Sequence, residues 1–74
     1  MRVRIQFTRS ARKHKIGKAH ALAALAAAGE PTCQSDDKLL WVGSDDRGVE
    51  LEIVGVVIPA EDLILIIHVM PTSF

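Results

Sequence analysis

Arg2-Val3-Arg4-Ile5-Gln6-Phe7 alternates strictly between polar and apolar side chains. Successive side chains of a strand point to opposite faces, so a period of two predicts a half-buried strand with Val3, Ile5 and Phe7 inward. The alternation ends at Thr8. Thr8 or Ser10 offers a side-chain oxygen to free helix amides, which predicts a short helix running to Lys15. Gly17 interrupts it and permits a change of direction. From Lys18 to Ala28 the chain reads KAHALAALAAA, with seven alanines and two leucines. Alanine has the highest helix propensity, so this segment is predicted helical, with Leu22 and Leu25 on one side. Gly29 is placed to close it in the left-handed conformation, and Pro31 forbids continuation.

Beyond Pro31 the pattern is strand-like. Leu39 to Val42 is a short apolar run containing Trp41. Ser44-Asp45-Asp46-Arg47-Gly48 has turn chemistry. Val49 to Ile58 alternates at first, with Val49, Leu51 and Ile53 set against Glu50 and Glu52, and then becomes apolar on both sides. Pro59-Ala60-Glu61-Asp62 predicts a second turn, and Leu63 to Met70 a last strand before Pro71.

The predicted order is therefore β-α-α-β-β-β in a single α+β domain spanning residues 1–74. Two N-terminal helices should pack on one face of an antiparallel sheet, since layering is the simplest way to bury both. One helix layer cannot cover both faces of the last two strands. The surplus apolar face predicts a homodimer, a hetero-oligomer with a protein partner, or strong sheet curvature.

Length sharpens that expectation. A chain of 74 residues has room for one core and buries only roughly 60% of its unfolded surface. Its single cysteine, Cys33, excludes an internal disulfide framework and cannot alone build a zinc site. No apolar run approaches the roughly 20 residues of a membrane helix. The basic N-terminus is not followed by a signal-peptide core. A cytoplasmic protein without membrane contact is expected. The net charge is zero, but residues 1–29 carry seven bases and no acid, whereas residues 30–74 carry two bases and nine acids. Such asymmetry suggests one face for an anion such as nucleic acid, or mutual neutralisation of the two halves across the fold.

The densest chemistry lies in Arg9-Ser10-Ala11-Arg12-Lys13-His14-Lys15. Arginine and lysine hold phosphate, and histidine moves protons near neutrality. A ribonuclease using the ribose 2′-hydroxyl as nucleophile needs a base, an acid and cations around phosphorus. A solvated basic surface is the ordinary alternative. His68 interrupts the apolar run Leu65-Ile66-Ile67-His68-Val69-Met70, so it must find a polar partner or border a cleft. His20, on the alanine-rich segment, is expected at the surface without a task. Asp45, Asp46, Glu50 and Glu52 read as a turn followed by outward strand positions, and no metal or other cofactor is expected from their spacing. With only three aromatics, Phe7, Trp41 and Phe74, the sequence gives poor support to a base-stacking platform.

Ser10-Ala11-Arg12-Lys13-His14-Lys15-Ile16-Gly17, followed by Ala19 to Leu25, resembles the KHG-type segment of BrnT-like toxins. These are small ribonuclease toxins of type II toxin–antitoxin systems with a RelE-like fold. The predicted element order and the length are similar to theirs, as is the position of the closing Leu65 to Thr72. The resemblance implies metal-independent RNA cleavage, translation arrest and neutralisation by a cognate antitoxin, often of the ribbon-helix-helix type. Residue by residue, it points to Lys13 and His14 and more loosely to Arg9, Arg12 and His68. The resulting expectation is catalysis by Lys13, His14 and His68, with RNA phosphate held by Arg9, Arg12, Lys15 and Lys18. The alternative is a non-catalytic dimeric module that binds protein or nucleic acid.

Overall fold

The computed structural model describes residues 3–73; the expectations placed on Arg2 and Phe74 fall outside them. In chain order the elements are β1 (Arg4–Phe7), a 3-10 turn (Ser10–Arg12), α1 (Lys18–Ala27), β2 (Thr32–Ser35), β3 (Lys38–Ser44), β4 (Glu50–Ile58), a second 3-10 turn (Pro59–Glu61) and β5 (Leu63–Pro71). The sheet order is β1-β5-β4-β3-β2. β2 to β5 form an antiparallel meander, and β1 lies parallel to β5.

This corrects the expected architecture. In place of two helices on an antiparallel sheet, the described residues form a five-stranded mixed sheet with one α-helix. The anticipated first helix is only the turn Ser10–Arg12. Arg9, Arg12, Lys13 and Lys15 crowd positive charge onto positions three and four apart, which weakens a helix. Lys15 then takes a left-handed φ of 59°, a conformation that ends helical propagation. Ala11 is nevertheless buried, at 2% exposure, so the turn is anchored by packing. The additional strand, β2, is fully exposed along its length; its sequence TCQS has no apolar alternation that could have announced it.

α1 begins at Lys18 as expected and ends one residue early. Ala28 is extended, and Gly29 does not adopt the left-handed cap. Its buried residues are Ala21 and Ala24, while Leu25 packs at the margin of the core and Leu22 stays exposed. Small side chains let the helix lie close to β3, and Gly43 permits the same from below. A Cβ on Gly43 would stand 2.5 Å from the carbonyl oxygen of Ala24.

Register defines the faces. Trp41 pairs with Ile53, Gly43 with Leu51, Ile53 with Val69, and Gly55 and Phe7 both with Ile66. These positions share the face covered by α1, where Leu51, Ile53, Ile66 and Val69 are fully buried. A bulge at Ile67 breaks the β4–β5 register, so that His68 comes opposite Val54. The second face holds the pairs Leu40–Val54, Val56–Leu65 and Ile58–Leu63, with Val42 opposite Glu52. Val42 is 45% exposed there. Val3, expected inward, precedes β1 and is also exposed. No helix among the described residues is long and apolar enough to cross a membrane.

Candidate functional site

β1 ends where the site begins. The Thr8 amide donates to the carbonyl oxygen of Ile66, and the Thr8 hydroxyl donates to the same oxygen. The Ala11 amide donates back to the Thr8 carbonyl at 3.2 Å and reaches its hydroxyl oxygen at 3.4 Å. Thr8 thus behaves partly as the anticipated cap, and it also fastens the basic turn to the middle of β5. Amides of Lys13 and Lys15 donate to the carbonyls of Ser10 and Arg12, which extends the turn past His14.

Two histidines separated by most of the chain meet as a result. The rings of His14 and His68 lie with centroids 6.0 Å apart and planes at 81°, an edge-to-face contact. Both residues are half-buried. Partial burial excludes some of the bulk water while leaving the rings in part open to solvent. A pair of imidazoles can divide labour, one accepting a proton while the other donates one.

The expected cations separate into two groups. Arg12, Lys15 and Lys18 join Phe7, Ile16 and Gly17 around a hollow of about 240 Å³. The Lys18 ammonium lies 5.9 Å from the centroid of the Phe7 ring, within cation–π range. Arg9 and Lys13 are exposed, and neither lines that hollow. Lys13 precedes His14 directly in the turn. A second hollow of about 230 Å³ on the same face is lined by Ile5, Leu25, Trp41, Ile64 and Ile66. It has no charged lining side chain and is mainly apolar.

Sequence reasoning missed a polar cluster at the first turn of α1. His20 Nδ1 and Asp46 Oδ1 are 2.5 Å apart, joining α1 to the β3–β4 turn. Asp45 is buried and accepts hydrogen bonds from the Arg47 and Val49 amides on one oxygen and from the Arg47 guanidinium on the other. Burial opposes ionisation of Asp45, but the Arg47 side chain and the two amides outweigh it and hold its pKa at about 2. The hydrogen bond from His20 lowers the pKa of Asp46 as well. The signal for Asp45 was the turn sequence itself, because aspartate at the start of a turn bonds to the backbone two residues on. Nothing in the sequence pairs His20 with Asp46, which depends on how α1 crosses the sheet.

Donor atoms of His20, Asp45 and Asp46 lie within 4.8 Å of one another, a spacing compatible with a metal ion. Both Asp45 oxygens already accept two bonds each, so a cation there would have to displace the Arg47 guanidinium. The cluster is better suited to fastening the turn beneath the helix. Searches against protein-family models, curated proteins and solved structures find no match to this chain.

Proposed function

We propose that the chain is a ribonuclease of toxin type, acting on RNA through His14 and His68. The observation that carries the reading is the contact between these two rings at 6.0 Å, beside a turn rich in arginine and lysine. In the proposed reaction the ribose 2′-oxygen attacks the adjacent phosphorus and the P–O5′ bond breaks. One imidazole takes the 2′-hydroxyl proton and the other gives a proton to the departing 5′-oxygen. The products are a 2′,3′-cyclic phosphate and a free 5′-hydroxyl. Lys13, directly beside His14, stabilises the charge that builds on the phosphoryl oxygens. Arg9, Arg12, Lys15 and Lys18 hold flanking phosphates. The protein acts in the cytoplasm, where a cognate antitoxin, of the ribbon-helix-helix type in this reading, neutralises it.

The second reading, a non-catalytic dimeric module for protein or nucleic acid, draws its support from the second sheet face. Leu40, Val54, Val56 and Leu65 lie there, and Val42 is 45% exposed. Cleavage separates the two readings. Purified protein is incubated with single-stranded RNA and with ribosome-bound message, alongside His14→Ala, His68→Ala and Lys13→Ala. Each histidine variant is expected to lose about 10²- to 10⁴-fold in rate, the usual contribution of a positioned acid or base. Cleavage that survives in the double histidine variant removes the ribonuclease mechanism; RNA binding without cleavage by the native chain favours the module.

A further inference from the structure

We propose that the hollow enclosed by Phe7, Arg12, Lys15, Ile16, Gly17 and Lys18 is a nucleotide subsite, holding the base and phosphate of a residue adjoining the cleaved bond. The identity of the ligand rests on the ribonuclease reading; the chemistry of the hollow stands apart from it. Its lining combines an aromatic ring and an aliphatic side chain with three cations. A ligand that satisfies both must join a flat, weakly polar body to an anion. A nucleotide has that form, with its base against Phe7 and its phosphate among Arg12, Lys15 and Lys18.

Among the described residues none of the three cations is held by a carboxylate: the ion pairs are His20–Asp46 and Asp45–Arg47, and none involves Arg12, Lys15 or Lys18. The Lys18 ammonium stands over the Phe7 ring at 5.9 Å, so a base stacking on that face displaces it toward the phosphate. The volume of about 240 Å³ falls below the roughly 300–1,000 Å³ of pockets for drug-sized ligands. It suits one base with its phosphate rather than a dinucleotide.

Position links the hollow to the histidines. Arg12 and Lys15 line it, and His14, between them in the chain, meets His68. The hollow and the histidine pair thus share one turn of the chain. The exposed Arg9 and Lys13 are left for the phosphates outside the hollow.

The test is an NMR titration of the full chain with adenosine 3′-monophosphate and, separately, with inorganic phosphate. Phe7→Leu and the double variant Lys15→Gln/Lys18→Gln are titrated alongside, each first checked for native circular dichroism. The nucleotide is expected to shift Phe7, Ile16 and Gly17 saturably. Phe7→Leu should weaken the nucleotide about tenfold, the scale of one base–aromatic stack, with little effect on phosphate. The lysine variant should weaken both and remains informative if Phe7→Leu fails to fold. Equal affinity for phosphate and nucleotide, or shifts confined to other surfaces, overturns the subsite. Nucleotide binding here by a chain that cleaves no RNA supports the subsite while sinking the ribonuclease reading. RNA cleavage without nucleotide shifts in the hollow overturns the subsite alone.

Discussion

The amide and hydroxyl of Thr8 both donate to the carbonyl oxygen of Ile66, each at 3.0 Å. Ile66 is fully buried two residues before His68, and Thr8 opens the turn that carries His14. One side chain therefore holds together the two segments whose histidines meet. Replacing Thr8 with valine keeps the shape and the amide but removes the hydroxyl. Thr8→Val is expected to cost about 1 kcal/mol of stability, the net worth of a hydrogen bond. It should weaken the cross-relaxation between the His14 and His68 rings in NMR spectra and lower any RNA cleavage with it. Thr8→Ser should restore both. An unchanged ring contact in Thr8→Val would remove the proposed positioning role.

Gly43 and Gly29 make opposite predictions from the same substitution. A Cβ on Gly43 would meet the Ala24 carbonyl oxygen at 2.5 Å and the Ala28 backbone at 2.9 Å, whereas one on Gly29 meets nothing within 4 Å. Backbone cannot move aside as a flexible side chain can. Gly43→Ala is expected to destabilise by about 1–3 kcal/mol, as overpacking does. Gly29 lacks a positive φ, so Gly29→Ala is expected to be neutral or to stabilise by about 0.4–1 kcal/mol through the unfolded chain. Urea denaturation of the three proteins gives the comparison. Equal midpoints for the two variants would mean that the helix does not rest on β3 as described.

What the sequence disclosed and what it withheld follow from the range of each interaction. β1, α1, the Asp45–Gly48 turn and the long strands β4 and β5 are written in local periodicity and turn chemistry, and each occurs where its residues predicted it. The short helix before Gly17 shrinks to a turn through its crowded charges and the left-handed Lys15, and the bond from Thr8 to Ile66 that fastens it spans 58 residues, which no local pattern encodes. The parallel pairing of β1 with β5 is hidden for the same reason: alternation shows which side chains are inward, not which neighbour they meet. His68 was marked by its polarity within an apolar strand. Its meeting with His14 depends on the bulge at Ile67 and on the Thr8 anchor. His20 had the opposite fate. Its surface location was readable, but its partner Asp46 lies 26 residues on, in a turn brought beneath it by packing.

Acid should destabilise the native state through the carboxylates of the β3–β4 turn. Asp45 has a folded pKa of about 2, against an ordinary value of 3.8, and that of Asp46 is lowered too. A depressed carboxylate pKa means that the unfolded chain binds the proton more readily, so the native state loses stability as pH falls. The contribution of Asp45 is whole above about pH 4 and disappears as the pH falls from there toward about 2. Thermal unfolding between pH 6 and 2 should therefore show a falling midpoint in this window. Asp45→Asn should flatten the fall and lower the midpoint at pH 6, since a neutral amide cannot replace the paired charge beside Arg47 or accept all four bonds. Asp46→Asn should do less, because its side chain is 58% exposed and water competes for the contact with His20. If Asp46→Asn flattened the profile as strongly as Asp45→Asn, the His20 contact rather than the Arg47 network would be the principal acid-sensitive tie.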